Sequence, residues 1–523
     1  MLFSNCRLNL QFISISMDQK VRLRYAPSPT GAQHLGGIRT ALYNYLFVKK
    51  MGGDLILRIE DTDQARYVEG AEEYVINSCK WAGIEFTEGV HLGGPYAPYR
   101  QSERKDIYKK FAIELIEKGH AYYAFDSADE LEAMRNRMIE QGNPSPAYDH
   151  ITRQYMKNST SLSHDEVEKR LADNEPHVIR IKMPRNEEIK FHDLIRGWVV
   201  FNSSQLDDKV LFKSDGMPTY HLANVVDDYL MKITHVVRGE EWLPSAPTHV
   251  MTYKMLGWED VMPQFAHLPL ILKPEGNGKL SKRDGDKYGF PLYSLDWKEQ
   301  NISGLKEKGF LPEAYINFLA FLGWNPGTDQ EVFSREELIE AFGFERIGKS
   351  GARFDPEKAK WFNQQHIKLK SGEELADLLQ PYLDKKGVTA DRAFLIRVCE
   401  AMKDRAVFIP DLYEMGTFFF EDIRVYDMET IKKKWKKEKK EIFVNLIAKI
   451  NEVVNFTAHE IEPVVKEFMK ENNLPMGEVM PIFRVALSGG LQGPPVFVMM
   501  DVLGKKISLD RLQNSIEIFD NFQ

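Results

Sequence analysis

The 523-residue chain is 43% apolar and 28% charged, a balance that predicts several packed globular domains and excludes a fibrous or wholly disordered protein. No run approaches the ~18 apolar residues of a membrane helix, and three cysteines (Cys6, Cys79, Cys399) are too few and too scattered for a disulfide framework or a cysteine zinc site, so a reducing, cytoplasmic setting without membrane contact is expected. The formal net charge of −8 argues against a uniformly basic nucleic-acid binder but not against one basic face.

Residues 1–19 stand apart. Met1 to Met17 contain no acidic residue and only Arg7 as a basic one, too little arginine for a transit peptide and no basic start for a secretory signal. They are expected to be a disordered or misassigned extension, with a weak mitochondrial presequence as the alternative. Val21 to Leu23 then reads as a short strand leading to Arg24 and a loop stiffened by Pro27 and Pro29. Ile38, Ala41, Leu42, Tyr45 and Leu46 recur at helical spacing, and Gly52-Gly53 ends that helix. Leu55 to Ile59 is a buried strand presenting Glu60, Asp61 and Asp63. Strand, glycine loop, helix, strand is a βαβ unit, which puts Ser28, His34 and Glu60 around one crevice at the carboxyl ends of the strands.

A second region, 101–212, interrupts this unit. A helix is predicted from Ser102 to Lys118, stopping at Gly119, and Val178 to Lys182 alternates like a strand. The nucleotide-binding pattern resumes at about Val210 and reaches Lys279 after Pro269-Leu270-Ile271-Leu272. From about Phe310 onward the patterns are helical, with no convincing alternation until Val496-Phe497-Val498. The basic run Lys432 to Lys440 reads as a solvated helix face in preference to an RNA contact.

Two segments carry chemistry. Ala26-Pro27-Ser28-Pro29-Thr30-Gly31-Ala32-Gln33-His34-Leu35-Gly36-Gly37 resembles the HIGH signature of class I aminoacyl-tRNA synthetases, and Lys279-Leu280-Ser281-Lys282-Arg283 resembles their KMSKS loop. Either alone is an ordinary surface or packing pattern; the two in this order point to ATP-dependent activation of a carboxylate. The first segment is most similar to bacterial and organellar glutamyl-tRNA synthetases. Leu57 to Asp63, Pro98 to Arg104, Ser214 to Asp228 and Arg238 to Trp242 also look like that family. The resemblance runs from about Val21 to Gly504 and is looser beyond Asn363.

That resemblance implies an α/β fold. A Rossmann-like catalytic domain (20–100 and 213–272) holds an inserted α+β acceptor-binding domain (101–212). A stem-contact region with the Lys279 to Arg283 loop (273–350) and an all-helical anticodon-binding domain (351–523) follow. Some glutamyl enzymes carry a zinc insert built on Cys-x-Cys; here the stretch after His120 reads Ala121-Tyr122-Tyr123-Ala124-Phe125, so no structural zinc is expected.

Forming an aminoacyl adenylate needs no protein nucleophile. It needs positioning, and positive charge where negative charge develops. A helix N-terminus bearing His34, Gly36 and Gly37 offers backbone N–H groups to phosphate. Lys279 and Lys282, on a loop flanked by glycines, can close over the leaving pyrophosphate as point charges, and the resemblance adds Ser281 of the same loop to the catalytic residues. The resemblance adds Glu241 and Ile271 to the ATP site, with Mg²⁺ arriving on ATP phosphates. Glutamate brings two carboxylates and an ammonium. Arg24 and Arg238 can meet the γ-carboxylate, and Glu60 the ammonium. By resemblance Ala26, Ser28, Tyr220 and Asn224 complete the pocket. Asp227 and Asp228 read as structural caps or tRNA-end contacts rather than a metal pair.

Small nucleotidyltransferases with an H-x-G-H motif would have no use for a large helical module. A non-catalytic tRNA-binding derivative would have lost His34 or Lys282. Glutaminyl enzymes and archaeal or eukaryotic glutamyl enzymes usually show P-P-E-P-N/S-G before the first motif, where this chain has Ala26-Pro27-Ser28-Pro29-Thr30-Gly31. The resemblance implies a monomer acting on tRNA(Glu), L-glutamate and ATP. In the family a basic residue reads the third anticodon base; Met402-Lys403-Asp404-Arg405 holds that place, with Lys403 or Arg405 as the reader, and charging of tRNA(Gln) stays open.

Overall fold

The computed structural model describes residues 20–276, 278–281 and 283–521; the 1–19 extension lies outside them. Two compact units form. One comprises the described residues of Met1–Ile302 with Leu319–Phe354, the other Ser303–Phe318 with the described residues of Asp355–Gln523.

In the first unit the chain runs through β1 (Arg22–Tyr25), α1 (Leu35–Met51), β2 (Asp54–Leu57), α2 (Ala71–Trp81), β3 (Glu88–Gly89), α3 (Lys105–Glu117) and β4 (Ala121–Ala124). There follow α4 (Ala128–Glu140), α5 (His164–Ala172), β5 (Val178–Ile181), β6 (Glu188–Asp193), β7 (Gly197–Asn202) and β8 (Val210–Phe212). Next come α6 (Tyr220–Leu230), β9 (His235–Gly239), α7 (Ala246–Leu256), β10 (Gln264–Leu268), β11 (Ile271–Leu272), α8 (Asp284–Tyr288) and, further on, β12 (Ala352–Arg353).

The seven-stranded sheet has the order β3-β2-β1-β9-β10-β6-β7. Every pairing is parallel except the β6–β7 hairpin. Strand order reverses beside β1, between β2 and β9, the position where ligands bind open α/β sheets. The strand β1 is buried on both faces, as parallel strands are. Leu23 and Tyr25 pack apolar surface, while Arg22 and Arg24 alternate with them and are neutralised by Asp54, Glu88 and Asp228. The helix α1 buries its predicted stripe and ends where Gly52 takes a left-handed φ of 63°.

One expectation changes. The strand at Val210 does not rejoin the main sheet: β8 pairs antiparallel with β5 in a separate sheet ordered β4-β5-β8. The interrupting region instead contributes β6 and β7 to the main sheet, through parallel pairing of Phe265 with Asp193. After Phe310 the first unit adds only one strand among the described residues, the two-residue β12, which pairs with β11.

In the second unit every regular element among the described residues is helical, including Pro356–Leu369, Gly372–Lys386, Arg392–Met402, Ala458–Glu471 and Met476–Ser488. Val496-Phe497-Val498, read as a strand, opens the helical stretch Val496–Asp520, which kinks at Gly504. Val496, Phe497, Met499, Met500, Val502 and Leu503 are all buried there. A helix apolar on every side has no amphipathic stripe, and periodicity cannot separate it from a buried strand. Along Lys432 to Lys440, Trp435 is buried and Lys432, Lys433, Lys436, Lys437 and Lys440 are exposed. No described helix is long and apolar enough to cross a membrane.

Candidate active site

The first signature segment becomes the N-terminus of α1. His34 is its N-cap residue, in extended conformation, and its Nδ1 accepts from the Gly36 N–H at 3.3 Å. A Cβ at Gly36 would meet only the Ile271 Cδ1 at 3.6 Å and His34 Nδ1 at 3.7 Å, which is ordinary contact. Protein packing therefore does not demand glycine there. At Gly37 a Cβ would come within 2.5 Å of Gln33 Oε1 and 3.0 Å of the Tyr25 hydroxyl, so those side chains would have to shift to admit it.

The second segment closes a hairpin. Leu272 and Lys279 bridge antiparallel, Lys273 N–H donates to Gly278 O at 2.9 Å, and Leu280 N–H donates to Ile271 O at 2.8 Å. Lys279, about half-exposed, pairs with Glu241 at 2.9 Å. The Ser281 hydroxyl and N–H both donate to Asp284 Oδ2, at 2.6 and 2.7 Å; with Lys273 beside it, the Asp284 carboxyl is pulled down to about 2. Lys282 lies outside the described residues. The chain then returns to α1: Leu35 N–H donates to Leu292 O at 2.9 Å, and the Tyr293 ring stands edge-on to His34 with centroids 6.2 Å apart. The two signatures, far apart in the chain, thus share one framework.

Beside the carboxyl ends of β1, β2 and β9 lies a cluster of charged side chains. Glu60, nearly buried, accepts from Arg58 Nη2 at 2.9 Å and from Asn224 Nδ2 at 3.3 Å on the same oxygen, Oε1. Arg24 donates from Nε to Asp228 at 2.9 Å. Arg238, 5% exposed, donates from Nη1 to the Tyr220 hydroxyl at 2.6 Å and from Nε to His267 Nε2 at 3.0 Å. Its Nη2 is buried with no hydrogen-bond partner among the described residues. The Tyr220 ring packs on Trp242 at 4.6 Å. Burial raises the Tyr220 phenol above its ordinary value, and the charges it feels are those of Arg238, Glu60, Arg24 and Asp228, which puts these groups in one neighbourhood. Burial, reinforced by Arg238, keeps His249 well below the ordinary histidine range, hence neutral.

Asp227 and Asp228 do not face solvent, and both are spoken for by cations. Asp227 accepts from Arg104, Gln101 and Tyr108, and Asp228 from Arg24 and Arg58, with exposures of 0% and 1%. They are neither caps nor contacts for an incoming tRNA end. Burial alone would raise the Asp228 carboxyl; Arg24 and Arg58 more than reverse this and hold it below the usual range. Ala26 and Ser28 sit in the loop after β1, Ala26 half-buried and Ser28 exposed, with Thr30 N–H donating to Ser28 O. In the second unit Lys403 follows the helix Arg392–Met402 and pairs with Glu400 at 2.5 Å; Arg405 lies close enough to Arg484 to lower its basicity further, after burial.

Sequence reasoning assigned no role to Arg58, Asp193, His249 or His267. Arg58 falls inside a family-like block but reads as one more strand-end charge, and Asp193 has no local signal at all.

Residues 20–361 match the family described as tRNA synthetases class I (E and Q), catalytic domain, and residues 374–516 match an anticodon binding domain. The chain is 51% identical over 506 residues to the glutamate–tRNA ligase of Amoebophilus asiaticus, covering 96% of this chain and 99% of that one. It is 52% identical over 505 residues to that of Cytophaga hutchinsonii, covering 95% and 97%. A crystal structure of a glutamate tRNA ligase from Elizabethkingia meningosepticum in complex with its amino acid superposes with a TM-score of 0.90 at 46% identity, over 95% of this chain and 99% of that one.

Proposed function

The chain belongs to the class I tRNA synthetases of the E and Q type, and we propose on that footing that it is a glutamate–tRNA ligase. An oxygen of the glutamate α-carboxylate attacks the α-phosphorus of ATP in line, a P–O bond forms, and pyrophosphate leaves. A hydroxyl of the 3′-terminal adenosine of tRNA(Glu) then attacks the adenylate carbonyl and AMP leaves. The observation that carries the choice of glutamate is the buried Arg238, with Nε and Nη1 engaged by protein and Nη2 left to meet a carboxylate.

In this reading Arg238 and Arg24 meet the side-chain carboxylate. Glu60, fixed by Arg58 and Asn224, takes the ammonium. Ala26, Ser28 and Tyr220 complete the pocket. His34, Gly36 and Gly37 at the start of α1, with Glu241 and Ile271, hold ATP, whose phosphates bring Mg²⁺. Lys279 leaves Glu241 to meet phosphate, and Lys282 and Ser281 act in the same loop. The regions 20–100 and 213–272 are the catalytic domain, 101–212 binds the acceptor end, 273–350 contacts the stem, and 351–523 reads the anticodon with Lys403 and Arg405. The enzyme works as a cytoplasmic monomer.

The test is aminoacylation by the full-length protein with tRNA(Glu) and tRNA(Gln), each offered glutamate and glutamine. Glutamate attached to tRNA(Glu) is expected. Charging with glutamine in preference to glutamate would overturn the substrate assignment.

A further inference from the structure

We propose that Asp193 and His267 are positioning residues for amino-acid selection: together they hold the Arg238 guanidinium so that its Nη2 edge meets the side-chain carboxylate of the substrate. The proposal rests on the reading of Arg238 as the anchor for that carboxylate. Its basis is a relay across three adjacent strands. Arg238 on β9 and His267 on β10 are direct register partners, and Asp193 ends β6, next to β10. Arg238 Nε–H donates to His267 Nε2 at 3.0 Å, so this nitrogen carries no proton. The ring proton is then on Nδ1 and is donated to Asp193 Oδ2 at 2.6 Å.

Asp193 and His267 are both 0% exposed. The Asp193 carboxylate is itself fixed by the backbone N–H groups of Ile195, Arg196 and His267. Burial lowers the basicity of His267, which agrees with a neutral ring. A protonated ring, or the other tautomer, would set an N–H against the Arg238 Nε–H. Nε is held by His267, and Nη1 by Tyr220 with His249 Nδ1 at 3.3 Å, so two edges of the guanidinium are fixed by protein and Nη2 presents donors only. Donors in a fixed plane pair with a carboxylate as opposite charges, whereas glutamine can offer them only its neutral amide oxygen and its NH₂ finds no acceptor there. The carboxylate that sets the tautomer comes from the interrupting region of the chain, which gives β6 a part in selectivity as well as in the sheet.

The experiment compares full-length variants in aminoacylation of tRNA(Glu), reading KM for glutamate, KM for ATP, and the ratio of kcat/KM for glutamate over glutamine. H267N keeps an N–H for Asp193 but removes the acceptor facing Arg238. H267Q places a carbonyl oxygen near the Nε2 position and restores that acceptor. Losing a hydrogen bond to a charged group predicts a rise of about tenfold to hundredfold in glutamate KM for H267N. The selectivity ratio should fall and ATP KM should hold, and H267Q should recover most of the loss. Equal losses in H267N and H267Q, extending to ATP KM, would mark a merely structural tie and overturn the proposal. An unchanged glutamate KM in H267N, while R238Q raises it, overturns the proposal but leaves the pocket standing. An unchanged KM and ratio in R238Q removes the pocket reading and the proposal with it. Should H267N not fold, D193N carries the same test: its amide donates to Nδ1, moves the ring proton to Nε2, and must raise glutamate KM.

Discussion

Arg58 and Asp228 form an ion pair at 2.8 Å with side-chain exposures of 0% and 1%, joining the end of β2 to α6. The same Asp228 oxygen accepts from Arg24, and Arg58 also holds Glu60. One carboxylate therefore sets the positions of two arginines and, through Arg58, of a second carboxylate. Asp228→Ala leaves both guanidiniums short of a counter-charge. Breaking a buried pair in this way costs about 3–5 kcal/mol of stability, read as a lowered urea midpoint. A shift no larger than that of a surface substitution would show the pair to be dispensable.

The buried His235 is shifted by burial from 6.5 to about 4. Folding thus favours the neutral ring, while the unfolded chain takes up a proton below about pH 6.5. The stabilisation is complete above pH 6.5 and is lost as the pH falls toward 4. Across that window His235→Gln is expected to flatten the dependence of unfolding free energy on pH by about 1.4 kcal/mol per unit, one proton's worth. Parallel slopes for wild type and variant would refute the assignment.

Gly36→Ala separates folding from ATP binding. The added methyl meets only contacts of 3.6 and 3.7 Å, so the thermal midpoint should hold. If ATP phosphate approaches the start of α1, the methyl obstructs it, and ATP KM should rise about tenfold, the equivalent of one hydrogen bond to a charged group. Normal ATP kinetics in a folded variant would move the nucleotide away from Gly36.

Lys282→Ala tests the loop assigned to pyrophosphate. Loss of one donor aimed at developing charge is expected to lower kcat about 100- to 1000-fold, with a smaller change in glutamate KM. The assay is ATP–pyrophosphate exchange with tRNA present, and near-normal exchange would end the loop's assigned role.

Contiguous features were legible in the chain: the proline-glycine loop leading to His34, the stripe of α1, Gly52 at its end, and the Lys279 to Arg283 loop. Each depends on neighbours within a turn or a helix face, so spacing alone encodes it. The α/β class and the helical second region followed from the same periodicities and from family resemblance. Val496 to Val498 misled because burial on all sides erases the stripe that marks a helix.

The tertiary structure alone decided the rest. Asp193 lies 74 residues from His267, and His267 lies 29 from Arg238. Only the pairing of β6 with β10 and of β10 with β9 brings the three into line. Likewise Asp227 and Asp228 are an acidic pair in the chain but a counter-charge for Arg104, Arg58 and Arg24 in the fold. A charge carries no local mark of its partner. Burial raises the cost of leaving it unpaired, and strand register determines which opposite charge is near enough to meet it.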